Sequence, residues 1–158
     1  LIEILFLLGF TLHNIEEALW LPGWSKGAGK YHAPVGANGF RFGVIAVTVM
    51  GYLLTFLDHV LGGQVEIIRY AYLGFVSMMV LNAVFPHLAA TVAMRSYAPG
   101  LMTGLCLNVP MGIYLVFVRH GAGLDPLKYA AATILVSAVV LVSLKPLFWL
   151  GKKLIGNT

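Results

Sequence analysis

The chain has 158 residues, of which 59% are hydrophobic and only 10% charged, with a formal net charge of +4. A soluble domain carries about 25% charged residues, so a soluble globular protein is excluded and an integral membrane protein expected. The apolar runs are about 20 residues long, which selects spanning helices over the ~10-residue alternating strands of a membrane barrel. The Lys and Arg residues sit mostly beside those runs, so the positive balance is a topology signal and no nucleic-acid partner is expected.

In chain order, a first span covers about residues 1–21 and is expected to stop at Pro22-Gly23, with Trp20 and Trp24 as interfacial anchors. It lacks the basic leading region of a recognisable signal peptide, and a few residues ahead of Leu1 could be missing. A Gly-rich loop follows, carrying Lys26, Lys30 and His32. Its GAGK lacks the upstream Gly and the Ser/Thr of a phosphate loop. The second span covers about 40–61, closed by the Gly62-Gly63 turn, and the third about 65–94, long enough to tilt. The stretch Ser96-Tyr97-Ala98-Pro99-Gly100 breaks the chain before a fourth span at about 100–118. A short loop leads to the fifth, about 127–150, and a basic tail. The fold class is therefore all-α, a five-span transmembrane bundle forming one domain over residues 1–158. The lone Cys106 lies mid-span, which excludes an intramolecular disulfide.

Five spans place the termini on opposite sides. One side then holds Lys26, Lys30, Arg41, Arg95, Lys145, Lys152 and Lys153. The other holds Arg69, Arg119 and Lys128 together with Glu3, Asp58, Glu66 and Asp125. The positive-inside bias predicts a cytoplasmic C-terminus and an external N-terminus.

Against this apolar background LGFTLHNIEEALW is the anomaly, because it sets His13, Glu16 and Glu17 on one helical face. Ionisable groups inside a span cost ~2.5–3.5 kcal/mol each even on lenient insertion scales, so the face must meet protein, metal or water. Counting residues from the span ends puts His87 of span three and Asn108 of span four at nearly the depth of His13. Pro86 and Pro110 remove the helical partners of the Asn82 and Cys106 carbonyls and should open room beside this cluster. Asn82 lies about 140° around an ideal helix from His87, so only a kink at Pro86 would bring both to one site. His32 could fold over the cluster from its loop, whereas His59 and His120 are expected at the interfaces.

The ordered set HNIEE at 13–17, Asn82 followed by His87, and YAPG at 97–100 resembles the HXXEE-motif family of bacterial integral membrane proteins. The resemblance covers roughly Leu8 to Gly100. It supports His13, Glu16, Glu17, His87 and the Tyr97–Gly100 turn as the residues that matter, and it supplies no reaction.

Two imidazoles and two carboxylates form a competent mixed site for Zn or Fe, with His13, Glu16, Glu17 and His87 as candidate ligands. Two His and one carboxylate leave a position open for water, and the second Glu could then act as general base. Glu16, Glu17, Asn82 and Asn108 make up the candidate catalytic set. The expected function is a metal-dependent membrane enzyme that hydrolyses or modifies a lipid or other amphiphilic small molecule. Two other readings use the same residues: a proton-coupled carrier or channel with a His/Glu relay, and a non-catalytic scaffold held by a polar knot.

Overall fold

The computed structural model describes residues 1–29 and 31–156, and of Arg119 the backbone alone. Lys30 and the Arg119 side chain, both counted in the charge bias, lie outside the described residues. Among the described residues, five helices are long and apolar enough to cross a membrane: α1 (Ile2–Ser25), α2 (Ala37–Leu61), α3 (Glu66–Met94), α4 (Leu101–Val118) and α5 (Pro126–Ile155). The all-α five-span expectation therefore holds. One end of the bundle gathers the start of α2 and the end of α5, where the Asn38 amide donates to the Gly156 carbonyl at 3.3 Å. The other end gathers the starts of α3 and α5, joined by a Lys128–Glu66 ion pair at 2.9 Å.

The first helix does not stop at Pro22 but runs on to Ser25. Proline lacks the N–H that would have reached the carbonyl four residues back, that of Ala18. Arg41 of α2 supplies the missing donor, its Nε donating to the Ala18 carbonyl at 3.0 Å. A tertiary contact thus satisfies the break that sequence logic reads as an end. At α5 the signals work as written. Asp125 caps the helix by accepting from the N–H groups of Leu127 and Lys128, ahead of Pro126 in the first turn.

The third span is the irregular one. Phe85 leaves helical geometry (φ −133°, ψ 115°) within a π-helical stretch, Ala83–Leu88. A residue preceding proline is pushed toward extended backbone by the proline ring, so Pro86 is the cause. The α4 helix also carries π-helical turns, at Gly104–Asn108 and Tyr114–Arg119.

The packed interior is built from α1, α3 and α4, with Phe6, Phe10, Tyr72, Leu73, Phe75, Val76 and Leu115 fully buried. Phe10 and Phe75 meet edge to face, with ring centroids 5.3 Å apart. The α5 helix is peripheral: Val140 and Gly151 are its only buried residues among those described. It docks on α2 and α3 where small residues let backbones approach, as helices in lipid must. A Cβ added at Gly74 would lie 2.8 Å from the Ala132 carbonyl oxygen of α5, and backbone there cannot yield. Gly74→Ala is therefore expected to cost about 1–3 kcal/mol by forcing α3 and α5 apart, read as a lowered Tm in detergent or bilayer.

Candidate functional site

The histidine ring on α1 is fixed from two sides. His13 is fully buried, and its Nδ1 lies 3.0 Å from the Gly100 carbonyl, to which it donates. With the proton on Nδ1, Nε2 carries a lone pair that points into the bundle. That nitrogen meets the Asn82 amide, whose Nδ2 lies 3.2 Å from His13 Nε2 and 3.0 Å from His87 Nε2. The break at Phe85 is what allows this. Five residues apart on an intact helix, Asn82 and His87 would diverge by about 140°. The two imidazoles sit edge to face at 5.1 Å between centroids.

Glu17 completes the cluster. Its Oε1 is 3.0 Å from His87 Nε2 and 3.8 Å from His13 Nε2. One ligand atom each from His13, Glu17 and His87 lie within 4.8 Å of one another. Ligands of a tetrahedral metal at bond lengths of 2.0–2.1 Å are themselves about 3.4 Å apart, so the two observed edges bracket that spacing. The Nε2 atoms of His13 and His87 that would hold a metal are the ones against which the Asn82 amide lies, and His87 Nε2 is also at donor distance from Glu17 Oε1, so a bound cation would take the place of these hydrogen bonds.

The adjacent carboxylate does something else. Glu16 is buried and turns toward the segment that starts α4. It accepts from the Tyr97 hydroxyl, from the Gly100 N–H at 2.9 Å, from the Thr103 N–H at 3.4 Å and from the Thr103 hydroxyl at 2.6 Å. Two of these are orphan N–H groups at a helix N-terminus, where the helix dipole favours an anion. Burial, then the hydrogen bond to Glu16, holds the Tyr97 hydroxyl above its ordinary value, so it remains a donor. The structure therefore separates the two carboxylates: Glu17 joins the imidazoles, and Glu16, expected as a ligand or base, binds the α4 turn instead.

Gly100 is required by the same geometry. Its φ of +94° is a conformation L side chains rarely adopt, and a Cβ there would lie 2.7 Å from His87 Cε1 and 2.9 Å from His13 Cε1. The YAPG turn thus both clamps Glu16 and lets backbone lie against two rings.

Asn108, expected in the set, is fully buried but one turn away, with its Oδ1 against Gly9 of α1. Neither atom of its amide has a hydrogen-bond partner among the described residues. The part of α4 that reaches the cluster is its first turn, not the depth of Asn108. His32 also lies apart, stacked edge-on against Trp24 and hydrogen-bonded to the Ala33 carbonyl. Thr103 was not legible in the sequence, since a threonine in an apolar span is unremarkable. Its position in the turn after the YAPG motif is the one signal that could have found it. A separate apolar cavity of about 400 Å³ lies between α3, α4 and α5, lined by residues including Ser77, Gly112 and Tyr129, and takes in none of the His/Glu cluster.

Comparison with known proteins agrees with the motifs. A family model described as a protein of unknown function with an HXXEE motif matches residues 4–115. The chain belongs to the HXXEE family. The matched stretch runs from α1 through most of α4 and leaves out the peripheral α5. The chain is also 42% identical over 149 residues to the uncharacterized protein YrkK of Bacillus subtilis (strain 168), covering 94% of each chain. No solved structure matches it.

Two outcomes follow for the clamp. Glu16→Ala leaves buried donors without an acceptor and is expected to destabilise by about 2–4 kcal/mol, seen as a large fall in Tm. Gly100→Ala should displace both imidazoles, read as a change in the ring NMR signals of His13 and His87.

Proposed function

We propose that this HXXEE-family protein is a metal-dependent integral membrane enzyme. It holds Zn or Fe on His13, His87 and Glu17, and acts on a lipid or other amphiphilic molecule by hydrolysis or a related modification. The observation that carries this reading is the convergence of His13 Nε2, His87 Nε2 and Glu17 Oε1 at near-ligand spacing, with the His13 proton held away on Nδ1. Two His and one carboxylate leave a coordination position open, as catalytic sites do. A metal bound there would supply Lewis acidity and an acidified water.

The chain's own groups have distinct roles. Glu17 faces the imidazoles through Oε1, so its second oxygen is the carboxylate atom left to accept a proton. Asn82 lies against both imidazoles and would orient a polar group of the substrate. Glu16 is occupied by four donors and is not the base.

The amphiphilic substrate follows from where the site opens. Glu17 is 15% exposed, whereas His13 and His87 are sealed. The neighbouring Trp20 and Phe85 present large apolar surfaces outward. His87 lies about 10 Å of helix rise from the end of α3, within reach of a lipid head group while its chains stay in the bilayer. By the positive-inside bias this end is read as facing the cytoplasmic leaflet, and the family resemblance implies a bacterial inner membrane.

A carrier would need a polar route across the bundle. Beyond His13 the core is closed by the fully buried Phe6, Phe10 and Phe75, which counts against such a route.

Elemental analysis of purified protein tests the proposal. About one equivalent of Zn or Fe per chain is expected, falling sharply in Glu17→Gln and His87→Ala. A metal-free wild type whose liposomes carry a proton flux abolished by the same changes would establish the carrier instead.

A further inference from the structure

The hydroxyl of Thr103 lies between the two halves of the HxxEE motif. It is 2.6 Å from Glu16 Oε2 and 3.2 Å from His13 Nδ1. A hydroxyl has one proton to give, and the carboxylate, an acceptor only, takes it. The oxygen lone pairs are then left facing the N–H of His13. That N–H is shared between the Gly100 carbonyl at 3.0 Å and the Thr103 oxygen at 3.2 Å. The Gly100 carbonyl is a second acceptor for this hydroxyl at 3.4 Å, but the carboxylate at 2.6 Å is the nearer and charged one, so the chain runs from Glu16 through Thr103 to His13.

Resting on the metal reading above, we propose that Thr103 and Glu16 are positioning residues for a metal-binding His13, forming a carboxylate–hydroxyl–imidazole relay behind the ligand. Metal-bound imidazoles commonly donate their other N–H to a carboxylate or carbonyl, which fixes the tautomer and raises the basicity of the ligating nitrogen. Here a hydroxyl carries the influence of the carboxylate to the ring. The arrangement gives the two glutamates of the motif different duties: Glu17 meets the metal, and Glu16 acts on it through Thr103 and His13.

The local fold explains why threonine can serve. Gly104, the next residue, lets α4 pack closely on α3, since a Cβ there would lie 2.9 Å from Ala83 Cβ, and this holds the start of α4 beside His13. Thr103 donates to Glu16 from both its N–H and its hydroxyl, so its rotamer is held by the same carboxylate that it relays.

Thr103→Val keeps the shape and removes the hydroxyl, whereas Thr103→Ser keeps the hydroxyl. Affinity for Zn²⁺ is measured by chelator competition, and Co²⁺ is substituted so that its visible absorption bands report the ligand field. Thr103→Val is expected to lose roughly 10-fold or more in Zn²⁺ affinity and to shift the Co²⁺ bands. Thr103→Ser is expected to restore both. If Thr103→Val binds within twofold of wild type with unchanged bands, the relay is overturned and the metal site stands. A wild type that binds no stoichiometric Zn²⁺, Co²⁺ or Fe²⁺ overturns both. Should Thr103→Val fail to fold, Thr103→Ser and Thr103→Ala decide it: an Ala variant matching Ser in affinity and bands overturns the relay.

Discussion

The burial of one carboxylate against the start of another helix organises the functional end of this molecule. Glu16 sits within an apolar span, where an uncompensated charge would be costly. The Tyr97–Thr103 segment removes that cost by turning four donors toward it, two of them backbone N–H groups that the start of α4 leaves without helical partners. Anion and helix terminus each supply what the other lacks. Because this bond network fixes the Gly100 carbonyl, it also fixes the proton on His13 and hence the lone pair on the opposite nitrogen. The clamp therefore reaches the cluster without any atom of Glu16 entering it.

Irregular backbone provides the second half of the site. An unbroken α3 would carry Asn82 and His87 on diverging faces. Pro86 forces Phe85 out of helical geometry, and the chain beyond it returns with His87 turned toward Asn82 and Glu17. In hydrocarbon such a break survives only where protein covers the freed groups. The contrast with Pro22 is instructive. There the freed carbonyl of Ala18 finds Arg41, and the helix continues. One proline reshapes its helix and the other does not, according to what stands beside each.

The bundle is asymmetric in purpose as well as in packing. The His/Glu cluster lies at one end of α1, α3 and α4, and aromatic packing around Phe10 and Phe75 fills the interior beyond it. Helix α5 adds apolar surface at the periphery, packed through glycines rather than through the site. This division matches the extent of the family resemblance, which runs through most of α4 and stops before α5.

Much of this was determined by sequence alone. Composition and run length dictated a helical membrane bundle of five spans, because continuous apolar runs of about 20 residues cross lipid as helices whereas barrel strands are alternating runs of ~10. The 3.6-residue repeat placed His13, Glu16 and Glu17 on one face, and the rarity of such groups in apolar runs marked His87 beside them. The division of labour between adjacent glutamates was beyond the sequence. Glu16 and Glu17 differ by a rotation of about 100° on α1, and which of them meets an imidazole and which a helix terminus depends on where α3 and α4 pack around it. The same holds for Thr103, whose hydroxyl becomes meaningful only once α1 packs with a carboxylate and an imidazole to either side of it. It holds too for Asn108, which packs against Gly9 one turn from His13 rather than at its depth. Periodicity fixes a face and a height along one helix. Convergence at hydrogen-bond distance requires the mutual rotation of several, and that is settled by packing.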